Sequence, residues 1–302
     1  MKKVSKIITI NLLLLIAIFF IFDLTCYIKD LNYNFRFYVY KTPMTFIKGY
    51  LRTYKRIFYT TKNYDVLFIK DKGYNTVFRQ PVNTESTKPP ILLMGCSYTF
   101  GSFLTPEESF MGKLAKLTNR PIYNRALSAR GADEMLYQLS SDEFYSKVPK
   151  PEWLIYVFIP DQVRRTQIPC CVDDIGVYYD NKVKITKDFN IPVIYTLKKR
   201  INYYETDKYI FHFNKIMKNI KEQAEKHWGK DVKFAFIFYA NNDLALPIIK
   251  KSVEKDGFVF LSLNELTKID LITEEYKLED KLHPSEKAWD ILTPLIVEKL
   301  GL

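Results

Sequence analysis

Residues 91–101 read ILLMGCSYTFG, and this stretch decides the fold. Its first four residues form a short, fully apolar run that predicts a buried β-strand over Ile91–Met94. Glycines stand on both sides of Ser97, and glycine allows the backbone to turn sharply between a strand and a helix. A serine on such a turn is well placed to act as an exposed nucleophile, and the nearby helix amino terminus favours developing negative charge.

Strand and helix signals alternate through the rest of the chain. Further strands are predicted over Pro121–Leu127, Trp153–Ile159, Lys233–Tyr239 and Phe258–Leu263, hairpins over Val66–Arg79 and Gly176–Ile185, and helices from Thr105, over Ala132–Tyr145, from Thr206, over Asp243–Lys255 and over Ala288–Leu300. Apolar strands joined by helices indicate an α/β fold whose mostly parallel sheet is covered on both faces. Ligands of such sheets lie beyond the carboxyl ends of the strands, so chemistry is expected there.

A second motif, DKLHPS, occupies residues 280–285. A nucleophilic serine needs a base, and histidine titrates near neutral pH. The histidine in turn needs a carboxylate that holds its tautomer, and an aspartate three residues earlier can reach the ring. His283 and Asp280 are therefore candidates for these roles, although a loop carboxylate beside a surface histidine is the simpler alternative. His212 and His227 are interpreted as structural or solvated.

Together, GCSYTFG at 95–101 and DKLHPS at 280–285 resemble two sequence blocks of the SGNH (GDSL-like) hydrolases. The resemblance covers about residues 89–302. It implies a flavodoxin-like three-layer α/β/α fold and the cleavage or transfer of acyl groups at esters. No cofactor and no metal are expected. The resemblance further implies Ser97 as nucleophile, His283 as base and Asp280 as its orienting partner. Cys96 stands where the first block of the family has aspartate.

The middle blocks of the family match less closely. Ala129 aligns with the glycine whose backbone N–H donates to the oxyanion, and Gly131 is the alternative donor. Pro160 occupies the position of an asparagine that is another oxyanion donor, and proline has no N–H at all. Losing one such donor typically costs about 10²–10³ in turnover. Gln162 is the candidate replacement from a neighbouring position.

An irregular insertion follows, at about residues 166–205. Arg164 and Arg165 lie at its start, and they either bind an anionic substrate or face water. Cys170 and Cys171 are adjacent, so they are either a strained disulfide or two inert thiols. The chain has only four cysteines, and their spacing does not match a metal site or a disulfide framework.

The positive charge of the chain is concentrated near its start. The 302 residues carry a formal net charge of +11, of which +9 belongs to residues 1–63, where eleven lysines and arginines face two aspartates. The rest of the chain is close to neutral, so no global basic field indicates nucleic-acid binding. Binding of nucleic acid or anionic lipid through the basic segment alone is kept as an alternative.

The same segment holds the longest apolar run, Ile7–Phe22. About 20 apolar residues span a bilayer, so residues 1–28 are predicted to be an uncleaved signal anchor. A cleaved signal peptide and a buried helix are the alternatives. The lysines at the start favour a cytoplasmic amino terminus, which would place the body outside a bacterial-type inner membrane that the chain crosses once.

Residues 29–88 are interpreted as a basic, aromatic, membrane-proximal segment that includes the first hairpin. A helix over 45–59 would carry aromatic residues on one face and basic residues at its rim. That pattern suits either the lipid headgroup layer or packing against the body. The body itself is assigned to residues 89–302.

The function expected from these observations is that of a membrane-anchored serine esterase or O-acyltransferase. Its expected partners are an acylated envelope or extracellular glycan or another small ester, membrane lipid at the anchor, and a membrane protein. The alternative is a catalytically degenerate glycan-binding or accessory protein with the same fold.

Overall fold

The computed structural model describes residues 11, 14, 18, 68–69, 78–127, 130–165, 176–179, 183–186, 206–240 and 246–302. Most of the predicted anchor, the aromatic segment 45–59 and the cysteine pair at 170–171 lie outside the described residues, although positions 11, 14 and 18 are helical. Within the described ranges, no helix combines the length and the apolar character needed to cross a membrane.

A parallel sheet of five strands forms the centre of the described body. The strands along the chain are β1 (Phe68–Ile69), β2 (Phe78–Arg79), β3 (Ile91–Gly95), β4 (Ile122–Asn124), β5 (Trp153–Phe158), β6 (Gly176–Tyr179), β7 (Val183–Thr186), β8 (Lys233–Phe238) and β9 (Val259–Ser262). The central sheet has the order β4-β3-β5-β8-β9, and all its pairs are parallel. Counted within this sheet, the order is 2-1-3-4-5, that of flavodoxin-like folds. The predicted parallel α/β arrangement is therefore confirmed.

Helices cover both faces of this sheet. They are α1 (Ser97–Phe100), α2 (Phe110–Thr118), α3 (Ala132–Leu139), α4 (Asp142–Lys147), α5 (Asp161–Arg165), α6 (Thr206–Trp228), α7 (Leu246–Lys255), α8 (Leu263–Leu266) and α9 (Glu286–Leu300). Side chains alternate along each strand. On β5, Tyr156 and Phe158 join the core under α3, α6 and α7, whereas Val157 joins the core under α2, α8 and α9.

Two predicted helices are delayed or interrupted, and serines explain both differences. The capping box is present, since Thr105 N–H donates to the Glu108 carboxylate at 2.8 Å, but the next residues form a turn and α2 begins only at Phe110. Ser109 closes that turn, its hydroxyl donating to the Pro106 carbonyl at 2.7 Å. The predicted helix over 132–145 is broken between α3 and α4, where the Ser140 hydroxyl donates to the Leu136 carbonyl at 2.8 Å. Serine side chains compete with helical backbone hydrogen bonds in this way.

Residues 78–88 belong to the packed body, although the sequence assigned them to the preceding segment. Phe78 is fully buried in the core. The backbone N–H of Val82 donates to the Ile122 carbonyl at 3.2 Å, and the reverse bond measures 3.1 Å. The predicted first hairpin is present, because β1 and β2 pair antiparallel. The body therefore begins at or before Phe78.

Candidate active site

Ser97 lies at the carboxyl end of β3, where it is the first residue of α1. The turn depends on Gly95, whose φ of +145° is a conformation that other residues rarely adopt. A β-carbon on Gly95 would lie 2.3 Å from Thr99 Oγ1 and 2.6 Å from the Val157 carbonyl oxygen. The close approach of β3 to β5 thus requires glycine immediately before the Cys96–Ser97 pair.

Cys96 places a buried thiol beside the candidate nucleophile. Burial raises the pKa of this thiol, and the positive charge of Arg165 and a hydrogen bond with Ser97 only partly oppose the rise. The thiol is therefore neutral at physiological pH. The aspartate of the family motif is thus replaced by an uncharged group.

Asp280 and His283 form a close pair on the loop before α9. Asp280 Oδ2 lies 2.5 Å from His283 Nδ1, and Asp280 Oδ1 accepts the backbone N–H groups of Leu282 and His283, each at 3.0 Å. Lys281 makes this turn possible by adopting a left-handed φ of 58°. Burial disfavours the ionised carboxyl, but the hydrogen bond from the ring, the charge of the histidine and the two backbone N–H groups hold the pKa of Asp280 below its usual value. Asp280 is thus an ionised partner that orients the imidazole.

Tyr98 joins this loop to the nucleophile turn. Its hydroxyl donates to the Leu282 carbonyl at 2.8 Å, and burial raises the pKa of the phenol, so it stays protonated as a donor. The imidazole of His283 contacts two aromatic rings, with the centroids of Tyr98 and Phe103 each 5.4 Å from its own. Ser97 and His283 are therefore brought to the same end of the sheet.

The second ring nitrogen of His283 remains available for chemistry. Among the described residues, its Nε2 atom is buried and has no hydrogen-bond partner. It makes no hydrogen bond with the Ser97 hydroxyl in this state. Such catalytic bonds are often long without substrate and tighten when it binds.

The loop after β5 carries the second candidate oxyanion donor. Because β3 and β5 are neighbours, α5 lies beside the nucleophile turn, and the charges of Asp161 and Arg165 influence the pKa of Cys96. The side chain of Gln162 is fully buried. Neither its amide nitrogen nor its amide oxygen has a hydrogen-bond partner among the described residues. A buried amide without a partner is costly, so the amide of Gln162 has hydrogen-bonding capacity that the described residues leave unused.

The first candidate oxyanion donors are described only in part. Ala129 lies outside the described residues. Gly131 precedes α3 as its N-cap, and a β-carbon there would lie 2.6 Å from Asp133 Oδ1 and 3.1 Å from Arg165 Cβ. The backbone at Gly131 thus packs closely against α5, and its oxyanion role stays a prediction.

Of the two arginines after Gln162, the structure describes the side chain of Arg165 but not that of Arg164. Arg165 is buried, and its Nε donates to Asp161 Oδ2 at 2.7 Å while Nη1 approaches the Arg130 carbonyl at 3.5 Å. These contacts direct Arg165 into the protein interior. The side chain of Arg164 lies outside the description, so a substrate-binding role for either arginine stays a prediction.

Two polar residues that support the nucleophile turn were missed by the sequence analysis. Asn124 donates from its amide to the Thr99 carbonyl at 2.7 Å and accepts the Ala126 N–H at 3.1 Å. Arg79 donates to the carbonyl of Phe100, the last residue of α1, and to those of Gly101 and Leu104 in the loop that follows. Asn124 could have been noticed as a polar residue at the end of an apolar strand, whereas no local signal marks Arg79.

Metal ligands are not grouped in the described part of the chain. No three His, Cys, Asp or Glu side chains among those residues lie close enough together to hold a metal ion.

Several solved structures resemble this chain. A carbohydrate esterase whose active site is said to display divergent catalytic and non-catalytic binding functions shares 13% identity at a TM-score of 0.45, over 70% of this chain and 64% of its own. A protein from Desulfitobacterium hafniense ascribed to the G-D-S-L lipolytic family shares 13% identity at a TM-score of 0.44, over 70% of this chain and 99% of its own. An acetyl xylan esterase from the rumen bacterium Butyrivibrio proteoclasticus shares 11% identity at a TM-score of 0.45, over 75% of this chain and 67% of its own.

This chain thus spans only about two thirds of the length of the two carbohydrate-active esterases. No protein-family model matches the chain, and no curated protein matches it. At these identities and TM-scores, the roles of the site residues rest on the contacts within this chain.

Proposed function

We propose that this chain is a serine esterase or O-acyltransferase of the SGNH type. The observation that carries the proposal is the Asp280–His283 pair, at 2.5 Å, joined to the Ser97 turn by the hydrogen bond from Tyr98 to Leu282. This arrangement supplies a nucleophile, a base and a carboxylate that orients the base.

In the proposed reaction, Ser97 Oγ attacks the carbonyl carbon of an ester, and its proton passes to His283 Nε2. The carbonyl oxygen becomes an oxyanion, and the C–O bond to the leaving alcohol then breaks as His283 returns the proton to the leaving oxygen. Water, or a sugar hydroxyl, attacks the resulting acyl-serine and gives its proton to His283. The bond between the acyl carbon and Ser97 Oγ then breaks as His283 returns that proton to Oγ, which restores the free serine. The first outcome is hydrolysis and the second is acyl transfer.

Gln162 is proposed to donate its side-chain amide to the oxyanion. Pro160, at the position of the family's asparagine, has no donor, whereas the amide of Gln162 is buried and has no partner within the described ranges. The backbone N–H of Ser97 and that of Ala129 or Gly131 are the other proposed donors. Donors of this kind stabilise the charge that develops in the transition state.

The proposed setting is a membrane surface. Residues 1–28 would anchor the chain with its body outside the cytoplasm, and an acylated envelope or extracellular glycan would be the substrate. The apolar run Ile7–Phe22 and the +9 charge of residues 1–63 support this proposal. Extraction of membranes from expressing cells with alkaline carbonate tests it: an anchored chain stays in the pellet, and release into the supernatant would contradict the anchor.

The nucleophile is tested with a fluorophosphonate probe on the full chain in detergent. Wild type should be labelled, and Ser97→Ala and His283→Ala should not. Ser102→Ala and His227→Ala are matched controls, since one removes a nearby hydroxyl and the other removes a histidine stacked on Tyr145. Equal labelling of wild type, Ser97→Ala and His283→Ala would overturn the serine mechanism, and retained glycan binding without turnover would favour a binding protein.

A further inference from the structure

Arg79 is a buried cation that forms hydrogen bonds with the end of α1 and with the loop that follows it. The side chain is only 2% exposed. Its Nε donates to the Phe100 carbonyl at 2.9 Å, and Nη2 donates to the carbonyls of Gly101 and Leu104 at 2.6 and 2.7 Å. Arg79 belongs to β2, upstream of the residues 89–302 that resemble a hydrolase. A strand outside the resemblance therefore holds the loop that leads away from Ser97.

The helix α1 needs support of this kind at its carboxyl end. It is only four residues long, and the last carbonyls of a helix have no partners within it. A positive charge near these carbonyls stabilises the helix end. Burial lowers the pKa of Arg79 to about 10, while the nearby charges of Glu107 and Glu108 oppose that shift, so the guanidinium is charged at neutral pH.

The loop that Arg79 binds, Gly101–Leu104, contains a strained residue that contacts the candidate base. Phe103 has a φ of +68°, a left-handed conformation that is uncommon for a bulky side chain. Such strain persists only where the surroundings over-determine it. The carbonyls on either side, those of Gly101 and Leu104, are both held by Arg79. The Phe103 ring packs edge-on against His283 at a centroid distance of 5.4 Å.

We propose that Arg79 is a positioning residue for the proposed acyl-transfer site. It fixes the carboxyl end of α1, which Ser97 begins, and it holds Phe103 in the strained conformation that packs against the imidazole of His283. This inference rests on the proposed function, because its consequence is the reactivity of Ser97. It also predicts that the β1–β2 hairpin is required for activity as well as for folding.

The first test compares two buried arginines. Arg79→Met and Arg125→Met each remove a buried guanidinium next to β2, since Arg125 lies over the Phe78 ring at 3.7 Å. In the full chain, at a temperature where circular dichroism shows each variant folded, Arg79→Met should react with the fluorophosphonate at least about 10-fold more slowly than wild type. Arg125→Met should melt earlier but label at the wild-type rate. Wild-type labelling by a folded Arg79→Met would overturn the inference.

The second test does not depend on Arg79→Met folding. Arg79→Lys keeps the charge, and Phe103→Leu keeps an apolar side chain at the strained position. Each should slow labelling. The fold-reduction in the double variant should be smaller than the product of the two single reductions, because part of the effect of Arg79 passes through Phe103. Effects that multiply independently would overturn the inference. Failure of wild type to label would instead overturn the proposed function, and this inference with it.

Discussion

Asp280 contacts His283 through both of its carboxylate oxygens. Oδ2 lies 2.5 Å from the ring nitrogen Nδ1, and Oδ1 accepts the backbone N–H of the same histidine at 3.0 Å. One carboxylate thus fixes the turn of the loop and the orientation of the imidazole. The two effects reside on different oxygens, so they can be separated by substitution.

Asp280→Asn should abolish most of the activity while preserving the loop. The amide oxygen of asparagine can still accept the two backbone N–H groups, but its NH₂ group replaces the acceptor that faces Nδ1. By analogy with serine proteases, loss of the orienting carboxylate lowers turnover by about 10⁴. Ester turnover and the melting temperature should be measured together.

The control for this variant is Asp270→Asn. Asp270 Oδ1 accepts the backbone N–H of Ile272 at 3.1 Å in a similar turn. Its substitution should leave turnover at the wild-type level. If Asp280→Asn retained full turnover, the orienting role of Asp280 would be wrong.

Tyr98→Phe should slow the reaction without changing substrate affinity. The substitution keeps the ring beside His283 but removes the hydrogen bond to the Leu282 carbonyl. Such a bond contributes about 1 kcal/mol, and a loss of that size expressed in the transition state corresponds to roughly a 5-fold fall in kcat. KM should stay near its wild-type value.

Tyr145→Phe is the matched control, because the hydroxyl of Tyr145 donates to the Leu139 carbonyl at 2.8 Å, within the α3–α4 region. It should lower stability by a similar amount with no effect on kcat. An unchanged kcat in Tyr98→Phe would show that the link between the two loops does not influence the reaction.

Gln162→Leu should lower activity without lowering stability. The amide of Gln162 has no hydrogen-bond partner among the described residues, so replacing it with an apolar group removes a desolvation cost. If the amide donates to the oxyanion, turnover should fall by about 10²–10³. Thermal unfolding and steady-state kinetics on the same preparation separate the two effects.

Gln138→Leu provides the contrast. The amide of Gln138 is also buried, but it donates to the Arg125 carbonyl at 3.1 Å and accepts from the Arg125 side chain at 3.3 Å. Its loss should destabilise the protein by about 1–3 kcal/mol. Normal turnover in Gln162→Leu would mean that a different group serves the oxyanion.

Glu134→Gln should stabilise the protein at neutral pH. Burial raises the pKa of Glu134, and the positive charge of Arg130 only partly opposes the rise. The folded state therefore binds the proton more tightly than the unfolded state, in which the pKa is near 4.5. As the pH rises from 4.5 through the folded pKa, wild type loses stability, whereas the glutamine variant does not.

The melting temperatures of wild type and Glu134→Gln should accordingly diverge by a few degrees as the pH increases to 7, and converge below pH 4.5. Glu143→Gln is the control, since Glu143 lies at the surface and pairs with Lys147 at 2.7 Å. Exposed pairs of this kind contribute little to stability. A lower melting temperature for Glu134→Gln at pH 7 would contradict the assigned cause.

The sequence predicts those parts of this protein whose causes are local. The strands β3, β5 and β8 are continuous apolar runs because both faces of the sheet are covered, so they can be recognised without the fold. The Asp280–His283 contact spans three residues, and a single turn suffices to form it.

What the sequence does not predict depends on distant groups. The three carbonyls bound by Arg79 lie 21 to 25 residues further along the chain, and nothing near Arg79 indicates them. The amide of Gln162 is notable only because it is buried with no partner among the described residues, and burial is set by the packing of the whole body. Likewise, the late start of α2 follows from a turn closed by Ser109, which competes with the capping box.

The hydrogen bond from Tyr98 to Leu282 joins residues that are 184 positions apart. During synthesis, the nucleophile turn emerges long before the loop that carries the base. A growing chain that ends before residue 283 contains Ser97 but lacks His283, however well its strands have begun to pair. On the proposed function, Ser97 therefore lacks its base until the last part of the chain has been synthesised.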